Sequence, residues 1–261
     1  MSQDELEPLS SPPESCPSAQ QLCMPQFGII HLLIWTAATA VLLKAQLAMG
    51  VTTPAGATIP TGPHWISQLS GASCAILLGA AVTALYILVR SRMDGMVPRF
   101  QPGHWILINH VSTGLLGTAW WVGCRLLWTD DLLNASVPGA YLRLGVSLFL
   151  YGFVAIRLDD TRWWRTAFGM YAVSTLLSGI SISSLLFSIG ASPVGAAMLV
   201  ILSGLCAIVG FVAFLGAIIG DLRRKTRRDW LHWMGIAVAV AGFTLWVATG
   251  LLQAMMMVPM R

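Results

Sequence analysis

Five histidines stand in a chain of 261 residues. Four of them, His31, His104, His110 and His232, fall within the first turns of long apolar runs. Neutral imidazole is a common ligand to metals and to haem iron, so histidines at similar depth in a helical bundle are the first chemistry to weigh. At about 1.5 Å per residue, His31 lies about 6 Å and His110 about 9 Å into its run. That pair would suit the two axial positions of a b-type haem. His104 and His232 stand at run starts beside Trp105 and Trp233, where a histidine is interfacial or hydrogen-bonded in the core. No HxxxH pair accompanies any of the four. The expectation is therefore no cofactor and no metal, with haem b on His31 and His110 as the alternative.

Other chemistries fail on spacing. Gly179-Ile180-Ser181 is similar to the serine motif of rhomboid-like intramembrane proteases, which need a histidine at the same depth. Ser181 falls about fifteen residues into one run and His232 about two into another, about 20 Å apart along the membrane normal. A retinal Schiff base needs a lysine in the last apolar run, but the lysines are Lys44 and Lys225. No phosphate-binding Gly-rich loop, HExxH or zinc-type Cys/His spacing occurs. Cys74, Cys124 and Cys206 lie inside apolar runs, where a free thiol behaves as a small hydrophobe. Arg125 and Arg143 flank Asp130 and Asp131, a surface charge cluster of small energetic weight. No catalytic residue emerges, and a non-enzyme is expected.

The elements that would position these residues are membrane helices. Apolar residues make up 56% of the chain and charged residues 10%, against about 25% charged in soluble domains, which excludes a soluble enzyme or nucleic-acid module. A span needs about 20 apolar residues. Seven runs satisfy this: Phe27–Met49, Trp65–Val89, His104–Trp128, Ala140–Leu158, Thr166–Ile189, Gly195–Gly220 and Trp230–Leu252. The fold class is all-α, a polytopic transmembrane helix bundle with about seven spans over residues 27–252. Residues 1–26 hold four acids and four prolines with no Lys or Arg, a disordered cytoplasmic tail. Residues 253–261 form a short carboxyl-terminal tail.

Seven alternating spans put Arg90, Arg92, Arg99, Arg157, Arg162, Arg165 and the five bases of DLRRKTRRD on one face. Lys44, Arg125, Arg143 and Arg261 fall on the other. Such a bias marks the cytoplasmic side, so the amino terminus is expected inside and the carboxyl terminus outside. Trp65, Trp105, Trp128, Trp163, Trp164, Trp230 and Trp233 fall at run ends, as an interfacial aromatic belt would. The bases Arg223, Arg224, Lys225, Arg227 and Arg228 would anchor that face and meet anionic lipid headgroups.

Small residues recur at helical spacing: Ser174, Ser178 and Ser181 in the fifth run, Gly216 and Gly220 in the sixth, Gly235, Ala239 and Gly242 in the seventh. They read as close-packing surfaces. The alternative for the serines is a solute path.

The opening of the first run, Gln26-Phe27-Gly28-Ile29-Ile30-His31-Leu32-Leu33-Ile34-Trp35-Thr36 with Ala40-Val41-Leu42-Leu43, resembles that of uncharacterised planctomycete multi-pass membrane proteins. The resemblance covers the first span only and implies a bacterial inner-membrane protein without naming an activity. The leading functional expectation is a non-enzymatic structural or accessory membrane component, its partners the lipid bilayer and other membrane subunits. A small-solute transporter is the alternative, and a haem protein the second.

Overall fold

The computed structural model describes residues 28–50, 64–94, 100–127, 132–158, 161–187, 193–226 and 228–257. The acidic tail, Asp130, Asp131 and Arg227 lie outside them. Seven helices account for nearly all the described residues, and no strand occurs among them: α1 (Ile29–Gly50), α2 (His64–Met93), α3 (Pro102–Leu127), α4 (Leu132–Arg157), α5 (Arg162–Phe187), α6 (Pro193–Arg223) and α7 (Trp230–Met257). Continuous apolar sequence yields helices because only intrasegment hydrogen bonding satisfies the backbone in lipid. Five of them, α2, α4, α5, α6 and α7, are long and apolar enough to cross a membrane, and the chain is a helical membrane protein. In α1 the apolar stretch Ile29–Ala45 is shorter.

Helix α3 lies among other helices and carries polar side chains toward them. It packs against α2, α4 and α7, and His104, Leu107 and Asn109 on it are buried. Polar side chains at membrane depth are tolerated where they face protein. Helix α1 packs on α2, where a Cβ on Gly79 would collide with Thr39. Helices α5 and α6 form a tight antiparallel pair. Ser174 Oγ donates to the Ser203 carbonyl (3.0 Å), Ser203 Oγ returns a bond to the Ser174 carbonyl (2.9 Å), and Ser178 and Ser203 share a hydroxyl contact of 2.8 Å. The serine face is thus a packing surface, as expected.

Several boundaries differ from the sequence reading. Helix α4 begins at Leu132, well before Ala140, and carries Pro138 inside it. A proline near a helix start removes one bond and leaves the rest of the helix intact. Helix α5 begins at Arg162, not Thr166, so Trp164 belongs to the helix. Trp164 is not part of an interfacial belt. It is fully buried, at the centre of a cluster with Val154, Phe168, Phe214 and Ile236. Helix α6 runs on through Asp221 to Arg223, and α7 reaches Met257.

The turn after α6 has an unusual cap. Lys225 has φ of 51°. Its N–H donates to the Leu222 carbonyl (3.2 Å), and the Thr226 N–H donates to the Asp221 carbonyl (3.1 Å). This is the Schellman pattern, with lysine where glycine is the usual choice.

Candidate functional site

Two adjoining features are built by the bundle, a polar clamp at one end and a cavity above it. The clamp begins at Asp229, which caps α7: its Oδ1 accepts the His232 backbone N–H (2.8 Å) and lies 2.9 Å from His104 Nε2. Asp and Asn are favoured at this position because a side-chain oxygen satisfies an orphan helix N–H. Gln101, just before α3, closes the contact, its Oε1 accepting the Asp229 N–H (3.2 Å) and its own N–H donating to His104 Nδ1 (3.3 Å). With Nδ1 accepting, the His104 ring proton sits on Nε2 and points at Asp229.

A second carboxylate lies deeper. Asp221 is buried, and its Oδ2 accepts the Trp164 indole N–H (3.2 Å) and Arg228 Nε (3.1 Å), while Oδ1 accepts a further Arg228 nitrogen (3.2 Å). Buried charges persist when paired and hydrogen-bonded in this way. His232 completes the set. Its Nδ1 accepts the Gly103 N–H (3.0 Å), and Nε2 stands 3.8 Å from Asp221, buried and without a hydrogen bond. The backbone bond from Gly103 requires α3 and α7 to touch. A Cβ on Gly103 would strike the His232 carbonyl, and one on Gly235 the Gly103 carbonyl.

Burial alone raises the Asp229 carboxyl. The His104 hydrogen bond, the His104 charge, the His232 backbone N–H and the His232 charge outweigh it and hold the group below the usual carboxylate range. The clamp ties α3, α5, α6 and α7 together, and its Trp164 packs against Phe168 and Phe214, which line the cavity.

The cavity is about 770 Å³, within the range of small-molecule sites. One wall carries polar groups: His110 from α3, Tyr151 from α4, and Tyr171, Ser174 and Ser178 from α5. The α6 and α7 lining is mostly apolar, with Val238, Gly242, Phe243 and Trp246 of α7 and Val200 and Gly204 of α6, and adds the hydroxyls of Ser203 and Thr249. Tyr151 Oη accepts the Asn109 amide hydrogen (2.8 Å) and keeps its own proton to give. The His110 ring and the Tyr171 hydroxyl make no hydrogen bond among the described residues. Among the described residues no Asp, Glu, Lys or Arg lines the cavity.

The expected site residues are separated by this arrangement. His110 faces the cavity. His31 lies on α1, which contributes nothing to the lining; its Nδ1 accepts the Gly28 N–H (2.9 Å) and its ring contacts Tyr86. No set of three or more metal-ligating groups occurs among the described residues. The cationic run also divides. Arg223, Arg224 and Lys225 are exposed, but Arg228 is turned inward to Asp221 with 11% of its side chain exposed. It is therefore corrected from the headgroup-facing set, because a buried carboxylate holds it.

The sequence reading passed over Asp221 and Asp229 as loop acids. A signal was present: Asp221 continues the core face of Phe214 and Ala217 at helical spacing, and Asp229 stands three residues before His232. Comparison with protein families, curated proteins and solved structures found no match.

Proposed function

We propose that the chain is a membrane-embedded carrier or receptor for a small neutral or lipophilic solute, placed in the inner membrane with its amino terminus cytoplasmic. Of the three readings that the sequence leaves open, the cavity favours this one over an accessory role. The carrying observation is the cavity of about 770 Å³ inside the bundle, mostly apolar on one wall and hydroxyl-bearing on the other. Its lining converges hydroxyls and an imidazole on an otherwise apolar space, the composition of a small-molecule site. No catalytic step is assigned to it.

The test is binding of N-phenyl-1-naphthylamine, a neutral fluorescent lipophile, to the purified chain in nanodiscs, with empty nanodiscs subtracted. Saturable enhancement that a Gly242→Phe variant abolishes is expected. Enhancement equal in the two forms would overturn the reading. Uptake of labelled neutral solutes into proteoliposomes then separates carrier from receptor.

A further inference from the structure

Resting on that reading of the cavity, we propose that it opens sideways into the lipid between α6 and α7, and that its occupant is a neutral lipophile with one hydrogen-bonding head. Among the helices lining the cavity, α2 packs on α3 and α7, α3 on α4 and α7, α4 on α5, and α5 on α6. The α6–α7 seam is the exception. These two helices meet at the clamp end, where Ala213, Phe214 and Ala217 pack with Ile236. One turn further, the Phe211 and Phe243 rings stack at 4.0 Å with 9° between their planes. Among the described residues the two helices share little backbone packing.

Three observations mark the seam as an opening. Val200 on α6 and Trp246 on α7 both line the cavity yet are 55% and 58% exposed, which makes them its lips. Gly204 and Gly242 line the two sides, and a Cβ on either meets nothing within 4 Å. Neither glycine serves close helix packing, unlike Gly103 and Gly235; their missing side chains leave room in the cavity. The surface around the opening is apolar, with Ile201, Leu205 and Ile208 of α6 half or more exposed. A lipid tail meets this surface without loss, whereas water would be held off.

The lining defines the class of ligand. Moving an isolated charge into this space would be costly, and no charged side chain among the described residues lines it. A neutral molecule meets no such barrier. Its head would find the Tyr151 and Tyr171 hydroxyls as donors and the His110 ring as donor or acceptor, so a hydroxyl or carbonyl group fits. Its chain would lie along α7.

Site-directed spin labelling in lipid nanodiscs decides the matter. Val200→Cys and Trp246→Cys, at the two lips, are each labelled with a nitroxide after Cys16, Cys23, Cys74, Cys124 and Cys206 are replaced by Ser. Should replacement of the buried Cys124 unsettle the fold, Cys124 is kept, since the reagent does not reach it. Both labels are expected to be open to oxygen, which concentrates in lipid, and closed to the water-soluble nickel chelate NiEDDA. Dodecan-1-ol should lower their oxygen access and decanoate should not, while a label at the lipid-facing Val209 responds to neither. Access to NiEDDA in place of oxygen would overturn the lateral opening and leave the cavity standing as a water-filled path. Closure to both reagents would overturn the cavity itself. An unchanged oxygen signal with dodecan-1-ol, or an equal response to decanoate, would overturn the ligand class.

Discussion

Asp221 and Arg228 form an ion pair at 3.1 Å whose carboxylate is 1% exposed. Breaking it from one side leaves a charge in a protein interior. Arg228→Met is therefore expected to lower stability by about 3 to 5 kcal/mol. The double variant Asp221→Leu, Arg228→Leu removes the charge as well and should recover most of that loss. Thermal unfolding in detergent, followed by tryptophan fluorescence, measures both; equal loss in the single and double variants would show that the pair is not the source.

Gly103→Ala and Gly235→Ala are predicted to destabilise strongly, because each Cβ would meet backbone of the opposing helix. Gly204→Ala and Gly242→Ala should leave the melting temperature close to that of the parent, having open space. The contrast between the two pairs, not either alone, is the prediction.

Lys225→Gly should stabilise the chain by about 1 kcal/mol. Lysine there holds φ of 51°, and a left-handed conformation costs about 1 to 2 kcal/mol for a residue with a Cβ. Part of the gain is offset by the extra freedom of glycine in the unfolded chain. Loss of stability would mean that the lysine side chain makes a contribution of its own.

Asp229 sets a pH dependence. Its carboxyl is held below the ordinary 3.8, so the folded state keeps the proton off where the unfolded chain takes it up. The stabilisation is complete above that ordinary value and fades as pH falls through the lowered one. Asp229→Asn should cost about 1 to 3 kcal/mol near neutrality, for loss of a charged hydrogen-bond acceptor. It should also flatten the acid limb of the stability curve, read by unfolding at successive pH values.

His110 and His31 give an optical prediction. With His31 on α1 and outside the cavity lining, the purified chain is expected to lack a Soret band. A band lost on His110→Ala would establish a haem site and reverse the reading of the cavity. In a colourless protein, His110→Phe with Tyr171→Phe should weaken the binding of dodecan-1-ol more than that of dodecane, because only the alcohol has a head to hydrogen-bond.

The helices were legible in the sequence because span length and Pro/Gly punctuation act locally. The seven runs and the seven helices agree within a turn or two, the start of α4 excepted. Ser174 and Ser178 read correctly as packing residues for the same reason: their spacing places them on one face. The clamp was not legible. Asp221 and Asp229 sit beside five basic residues, so composition made them part of a solvated run, and only the folded turn carries Arg228 back onto Asp221. His104 and His232 stand 128 positions apart, and their burial depends on Gly103 and Gly235 letting α3 and α7 touch. Trp164 misled for a related reason. Its position at a run end suited a lipid interface, but its N–H had a buried acceptor to meet.

The hydroxyls along the polar wall have a spacing of their own. Tyr171, Ser174, Ser178 and Ser181 follow one another at three or four residues, close to the pitch of the helix, about 5.4 Å. The Ser174, Ser178 and Ser181 hydroxyls already bond across to Ser203 and Ala196 of α6. The row therefore works as a rack that sets the register of α5 on α6. A slip of either helix by one residue would disengage all three serines together.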